Sequence, residues 1–112
     1  MEKPWTITKG KVEAVVRRIV ETSRPRKLIL FGSYINGETN VDSDLDVLVV
    51  SDDDIQNTRR ESVRIRKALR GISMPMDILV VPGSKLEKLA ERPDLVYREA
   101  LTNGQVVYES SE

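Results

Sequence analysis

The sequence predicts a small α/β fold, in which helices cover a mixed sheet of about four strands. Short apolar runs rich in valine and isoleucine alternate with segments whose apolar residues recur at helical spacing. The 112 residues suit one compact domain, and the 39% of hydrophobic residues can supply one modest core. We therefore expect a single domain over residues 1–112, with its core in residues 8–107 and frayed ends.

The first half of the chain predicts a helix, a strand, a short turn and a second strand. Apolar residues at helical spacing predict a helix over residues 8–22, which Pro25 ends because the residue before a proline avoids helical dihedral angles. Residues 28–31 are apolar on both faces, as in a central strand. A short helical turn over residues 33–37 and a polar loop lead to a second strand over residues 44–50.

The second half predicts two more strands, each reached through a helix. Residues 51–54, Ser-Asp-Asp-Asp, are expected to cap a helix running to about residue 70, with Ile65, Leu69 and Ile72 on its inner face. A third strand over residues 76–81 lies between proline-containing turns. The remaining predicted elements are a helix opened by a capping box at residues 84–87 and ending near residue 91, a helix over residues 94–101 closed by Asn103-Gly104, and a strand over residues 105–108.

The composition restricts the chemistry that is open to the chain. It contains no cysteine and no histidine, which excludes a thiol nucleophile, an imidazole base and a typical zinc site. Lys plus Arg and Asp plus Glu both number 18, so the net charge does not favour nucleic acid as a partner. Acid–base or metal chemistry must therefore use carboxylates.

The sequence also bears on location. No apolar run approaches the roughly 20 residues that span a bilayer, and the first residues lack the apolar region of a signal peptide. We therefore expect a cytoplasmic protein without membrane contact.

Residues suited to phosphate and metal chemistry flank the predicted strands. Gly32 and Ser33 follow the first strand, where a small-residue turn can bring backbone N–H groups close to an anion. Asp44 and Asp46 begin the second strand on one face, about 7 Å apart along the backbone, which suits a divalent metal. Asp77 is the one charge in the third strand, so we expect it to be exposed at an edge, hydrogen-bonded or bound to a cation.

Each of these features also has a simpler structural interpretation. A Gly-Ser pair after a strand is often just a turn, and an Asp-x-Asp is often a pair of loop carboxylates. Asp42 extends the spacing but precedes the strand, which favours loop capping. Tyr34 and Tyr97 could stack on a base or accept a nucleotide, although ordinary packing is simpler. A solvated charged face is likewise simpler than a binding surface for the basic residues of the third helix, Arg59, Arg60, Arg64, Arg66, Lys67 and Arg70.

Together the motifs resemble the nucleotidyltransferase superfamily of the DNA polymerase β type, marked by Gly-Ser, a spacer, Asp-x-Asp and a third aspartate on a neighbouring strand. More closely, the chain is similar to the minimal nucleotidyltransferases, which are often paired with a HEPN-domain protein in toxin–antitoxin modules. Ten residues separate Ser33 from Asp44, and residues 97–108 resemble the closing pattern of the family. Many members have a basic residue before the glycine of the short turn, where this chain has Asn36.

The resemblance implies a polymerase β-like fold and magnesium-dependent transfer of AMP from ATP to a hydroxyl. It implies that Asp44 and Asp46 hold two Mg²⁺ ions, and that Asp77 completes the ion activating the hydroxyl. It implies that Gly32 and Ser33 bind the outgoing phosphates. The implied partners are a nucleoside triphosphate and a HEPN-type ribonuclease toxin, which this chain would neutralise by adenylylation as an antitoxin, within a homo- or hetero-oligomer.

Two other classes of function stay open from the sequence. A non-catalytic binding module could mask a partner protein stoichiometrically, but it would have no need of the complete aspartate set. A nucleic-acid-binding domain would have to use the basic helix, which lacks the interleaved aromatic residues of a stacking platform. We also expect no templated synthesis, because 112 residues leave no room for template-gripping domains.

Overall fold

The structure, a computed structural model, describes residues 6–37, 44–90 and 95–110. Within these ranges helices and strands follow one another in the predicted order, so the predicted fold class is confirmed. The elements are α1 (Lys9–Ser23), β1 (Lys27–Phe31), α2 (Ser33–Asn36), β2 (Leu45–Ser51), α3 (Thr58–Ala68), β3 (Met76–Pro82), α4 (Gly83–Ala90), α5 (Leu95–Asn103) and β4 (Gln105–Glu109).

The four strands form a mixed sheet in the order β3-β2-β1-β4. β1 pairs antiparallel with both β2 and β4, whereas β2 and β3 run parallel. Strand β1 is therefore central, as its apolar residues predict, and β3 lies at one edge of the sheet. In this register Asp46 of β2 is opposite Phe31 of β1 on one side and opposite Asp77 of β3 on the other.

Both faces of the central strands are buried, each against a different pair of helices. Leu45, Val47 and Val49 of β2 are at most 1% exposed and pack with α1 and α3 in the larger core cluster. The alternate residues Leu48 and Val50 belong to a second cluster that includes Ala100 of α5. Because side chains alternate along a strand, Asp46 belongs to the face covered by α4 and α5.

Helix α1 begins and ends where local chemistry requires. The Thr8 side chain accepts a hydrogen bond from the Lys11 amide at 3.2 Å, so Thr8 caps the helix and does not form its first turn. At the other end Arg24 adopts a left-handed conformation, with φ 48°, directly before Pro25. The predicted termination before Pro25 is thus confirmed.

The predicted start of α3 is wrong. The helix begins at Thr58, and the Asn57 side chain caps it by accepting from the Arg60 amide at 3.0 Å. Ser51 instead ends β2, and Asp53 Oδ1 accepts from the Ser84 amide at 2.9 Å at the beginning of α4. The hydrogen bond from the Ser84 amide, and after it one from the Ser84 side chain, lower the pKa of the Asp53 carboxyl.

The predicted capping box at residues 84–87 is also displaced, because Ser84 lies inside α4, which begins at Gly83. The last predicted helix and strand are confirmed with small shifts, since α5 extends to Asn103 and β4 to Glu109. No helix in the described ranges has the length and apolar character required to cross a membrane.

Gly104 allows the end of α5 to lie close to β1. A Cβ at this position would collide with the Ala100 carbonyl oxygen and would lie 2.6 Å from Ile29 Cγ2. We expect Gly104→Ala to lower the free energy of unfolding by about 1–3 kcal/mol, because backbone and a buried strand residue must move. Urea denaturation measures this. Gly10→Ala is the matched control, since no atom lies within 4 Å of its Cβ and alanine favours a helix. Equal stability of the two variants would contradict the prediction.

Candidate active site

The three predicted aspartates meet at one end of β2 and β3. Asp46 and Asp77 are paired residues of neighbouring parallel strands, so their side chains project from the same face, with backbones about 4.8 Å apart. Asp44 directly precedes β2 and stands two residues before Asp46. Asp44 and Asp77 are exposed, and Asp46 is half-buried. The pairing of β2 with β3 therefore places a third aspartate, Asp77, beside the two whose spacing predicted a shared face.

The electrostatics of Asp46 reflect this gathering of carboxylates. Burial raises the pKa of the Asp46 carboxyl, and the negative charges of Asp77 and then Asp44 raise it further. Each additional negative charge makes ionisation of Asp46 less favourable. A bound cation would relieve this repulsion.

Gly32 brings the backbone against the same carboxylate. It follows β1 with φ 86°, and a Cβ built there would collide with Asp46 Oδ2. Ser33, the first residue of α2, is half-buried. The β1–β2 register thus brings the predicted Gly-Ser turn beside the predicted metal ligands.

Asp77 lies on the edge strand and has a cationic neighbour. Arg66 Nη2 of α3 is 3.8 Å from Asp77 Oδ1, and the two side chains are 49% and 60% exposed. Such an exposed pair contributes little to stability. Of the three alternatives that the sequence left open for Asp77, exposure at an edge of the sheet is the one observed.

The donor set fits magnesium chemically. Carboxylate oxygens are the hard ligands that Mg²⁺ prefers, and the repulsion at Asp46 is of the kind that a divalent ion removes. Among the described residues, no three acidic, histidine or cysteine side chains have the geometry of a preformed ion site.

A cleft of about 480 Å³ opens beside Asp46. The end of β1 forms one wall and α5 forms the other. On α5, Asn103 Nδ2 donates to Glu99 Oε2 at 2.9 Å. The residues lining the cleft are Phe31, Gly32, Asp46, Arg98, Glu99, Thr102 and Asn103.

The four α5 residues in this cleft were not predicted from the sequence. The signal was their spacing, since residues 98 and 102, and likewise 99 and 103, lie one helical turn apart just before a strand. A larger cavity of about 930 Å³ is lined by Arg24, Arg26, Asp52 and Tyr108 among others. It lies where β1 begins and β2 ends, which is the end of the sheet opposite the aspartates, so cavity size does not identify the site.

The other residues that the sequence suggested for binding lie in different places, and some lie outside the described residues. Tyr34 is partly buried and packs against the larger core cluster, in agreement with the simpler interpretation. The loop that contains Asp42 and Ser43, and the side chains of Asn36 and Tyr97, lie outside the described residues. The basic side chains at positions 59, 60, 64, 66, 67 and 70 are exposed, although Arg70 falls beyond the end of α3.

Gly32→Ala should damage the site as well as the fold. The substitution forces a side chain onto a backbone with φ 86° and ψ −160°, a conformation that favours glycine, and against Asp46. Gly37→Ala is the matched control, because Gly37 has φ 77° but no atom within 4 Å of its Cβ. We expect both variants to lose about 1–2 kcal/mol of stability, and Gly32→Ala alone to lose at least about tenfold in affinity for Mg-ATP by calorimetry, equivalent to about 1.4 kcal/mol. An equal effect of the two variants on affinity would contradict a role for the Gly32–Asp46 contact.

Comparison with known proteins bears on the family and on the fold. A model of the nucleotidyltransferase domain matches residues 11–107. A toxin–antitoxin crystal structure with AMP-PNP is similar at 19% identity and a TM-score of 0.55, covering 94% of this chain and 76% of that one. A Sulfolobus solfataricus structure described as a nucleotidyltransferase has 16% identity and a TM-score of 0.57, covering 95% and 93%. No curated protein sequence matches the chain. At these identities the solved structures bear on the fold alone, but the domain match spans most of the sequence, and the chain belongs to the nucleotidyltransferase domain family.

Proposed function

We propose that the chain is a magnesium-dependent nucleotidyltransferase that moves AMP from ATP to a hydroxyl group. The observation that carries this proposal is the strand register that aligns Asp77, Asp46 and the Gly32 turn across β3, β2 and β1. Membership of the nucleotidyltransferase domain family supports the reaction class. The choice of ATP draws support from the similar structure with AMP-PNP.

The order of these residues suits an in-line displacement. The acceptor oxygen attacks the α-phosphorus, the bond from that phosphorus to the oxygen bridging to the β-phosphate breaks, and pyrophosphate leaves on the opposite side. In the proposed arrangement the acceptor approaches from the Asp77 side. Pyrophosphate then departs towards the backbone of Gly32 and Ser33, whose N–H groups can donate to phosphate oxygens.

The aspartates have separate roles in this scheme. Asp44 and Asp46 would hold two Mg²⁺ ions, and Asp77 would complete the one nearer the acceptor. Magnesium held by these aspartates would supply neutralisation of the charge that develops on the phosphates. The Asp77 carboxylate is exposed and can accept the proton that leaves the hydroxyl. Gly32 keeps its backbone close to Asp46, which ties the phosphate-binding turn to the ligands.

We propose further that the acceptor is a side-chain hydroxyl on a HEPN-type toxin, and that the chain is its antitoxin in the cytoplasm. The structural similarity to a toxin–antitoxin complex with AMP-PNP supports a protein partner. The HEPN identity follows from the resemblance to minimal nucleotidyltransferases. With the toxin as the acceptor, the addition of AMP to the toxin is itself what neutralises it.

The test is to incubate the chain with ATP, Mg²⁺ and the product of the adjacent gene, and then to measure the intact mass of that partner. We expect added AMP units with the wild type and none with the double variant Asp44→Asn, Asp46→Asn. Asp54→Asn is the matched control, because Asp54 is an exposed aspartate in the turn after β2. It should transfer AMP at the wild-type rate.

The same experiment separates the rival function. If the wild type leaves the partner mass unchanged but still neutralises it, the catalytic proposal fails and a stoichiometric binding module is correct. Full transfer by Asp77→Asn would refute the role given to Asp77 and leave the other two aspartates as the metal site.

A further inference from the structure

Four residues of helix α5 with polar or charged side chains line the cleft beside Asp46. Arg98 and Thr102 lie one helical turn apart, as do Glu99 and Asn103, and all four line the cleft opposite Gly32. Ala100, the residue after Glu99, is 1% exposed and packs against the sheet, which anchors the helix there. The close approach at Gly104 fixes the end of this wall near β1.

The charges along the cleft are unevenly distributed. Asp46 contributes a carboxylate that already experiences Asp77 and Asp44. Glu99 contributes a second carboxylate, hydrogen-bonded to Asn103. Among the residues lining the cleft, Arg98 supplies the positive charge, and within the described part of the chain its guanidinium forms no ion pair.

A nucleotide entering this cleft carries several negative charges past these carboxylates. Magnesium at the aspartates would neutralise the part of the phosphate chain nearest Asp46. The negative charge on the rest of the phosphate chain needs a cation on the opposite wall of the cleft. A guanidinium offers a planar set of donors that matches phosphate oxygens. Phe31, the aromatic residue lining the cleft, is only 6% exposed, so its ring has little surface on which the base of the nucleotide could stack.

We propose that Arg98 binds the polyphosphate of the nucleotide, and of the pyrophosphate product, from the α5 wall. This inference rests on the proposed function, since it assigns a residue to the substrate of that site. It adds to the Gly32 turn a positively charged side chain from an element far away in sequence. Arg98 then helps to set a preference for triphosphates over monophosphates.

The experiment is isothermal titration calorimetry in the presence of Mg²⁺ with three ligands: ATP, AMP and inorganic pyrophosphate. The variants are Arg98→Ala, Arg98→Gln and Arg98→Lys. Arg17→Ala is the matched control, because Arg17 is an exposed arginine on α1, across the sheet from the cleft. Thermal denaturation of each variant verifies folding, and Arg98→Gln retains much of the side chain should the alanine variant be unstable.

We expect Arg98→Ala and Arg98→Gln to weaken ATP and pyrophosphate binding by about 10- to 100-fold, the effect of losing a charged hydrogen-bonding group. AMP binding should stay within about twofold, Arg98→Lys should restore part of the affinity, and Arg17→Ala should match the wild type. If AMP weakens as much as ATP, the assignment to the polyphosphate is wrong.

The possible failures can be told apart. Wild-type affinities in Arg98→Ala, with clear binding of ATP by the wild type, would overturn the inference and leave the proposed function intact. Absence of ATP and pyrophosphate binding by the wild type itself would refute both the inference and the nucleotide chemistry on which it rests.

Discussion

Asp46→Asn is expected to abolish nucleotidyl transfer and at the same time to raise the melting temperature of the metal-free protein. Asparagine keeps the shape of the side chain but has no charge, so it binds Mg²⁺ weakly. We expect the rate to fall by about 1000-fold or more, which corresponds to about 4 kcal/mol of transition-state stabilisation. Stability rises because the amide removes the repulsion from Asp77 and Asp44 at a half-buried position.

Magnesium and pH provide independent measurements of the same effect. Because the pKa of Asp46 in the folded chain lies above the ordinary value of an aspartate, the folded state binds more protons than the unfolded state between those two pKa values. This contribution makes the free energy of unfolding fall as pH rises through that interval. Above it the full repulsion is present, and Mg²⁺ should then raise the melting temperature of the wild type by mass action.

Differential scanning fluorimetry with and without Mg²⁺, at several pH values, measures these effects. The Asp46→Asn variant should lack this component of the pH dependence and should gain little from Mg²⁺. Asp54→Asn again serves as the control and should behave as the wild type. A destabilised Asp46→Asn protein that still responds to Mg²⁺ would contradict the role given to the carboxylate.

Glu61→Ala is expected to cause the largest loss of stability, about 2–3 kcal/mol, because it removes hydrogen bonds to a buried charged group. Glu61 is 5% exposed and joins α3 to the end of α1. Its carboxylate accepts from Arg64 Nε at 2.8 Å, from Arg64 Nη2 at 2.9 Å and from the Ser23 hydroxyl at 2.5 Å. Urea denaturation measures the loss, and Glu13→Ala, at an exposed position of α1, is the control.

The pH dependence of this contribution has the opposite sign to that of Asp46. Hydrogen bonds from Arg64 lower the pKa of the Glu61 carboxyl below the ordinary value of a glutamate, and the bond from Ser23 lowers it further. The stabilisation is therefore complete above the unfolded-state pKa and is lost as pH falls through the lower folded-state pKa. A Glu61→Ala variant whose stability decreases in acid as steeply as that of the wild type would contradict this assignment.

Much of the fold follows from local patterns. Apolar residues on both faces of residues 28–31 predicted the central position of β1, and Pro25 predicted the end of α1. The prediction failed at α3, where three consecutive aspartates suggested a cap. Asn57 caps that helix, and the Asp53 carboxylate bonds the Ser84 amide of a helix that begins at Gly83. Several side chains could cap a helix, and tertiary packing determines which of them meets free backbone amides.

The candidate site likewise contains residues that local sequence patterns predicted and residues that they did not. Its aspartates were singled out from the sequence because two of them lie two residues apart at the start of a predicted strand and the third is the one charge in an apolar strand. Arg98 and Thr102 were missed because they lie on a helix whose docking side is not encoded by its spacing alone. Helical spacing indicates which residues share a face, but the contact with β1 determines what that face meets.

The sequence by itself limited the chemistry: without histidine or cysteine, metal and acid–base work would need carboxylates, and the strand pattern singled out Asp44, Asp46 and Asp77 as candidates. It also predicted that Asp44 and Asp46 share a face, because side chains alternate along a strand. Only the tertiary structure decided that Asp77 pairs with Asp46, that Gly32 touches its carboxylate and that α5 forms the opposite wall. The reason is physical: alternation fixes the face of each residue, whereas pairing between distant strands and helix docking fix its neighbours.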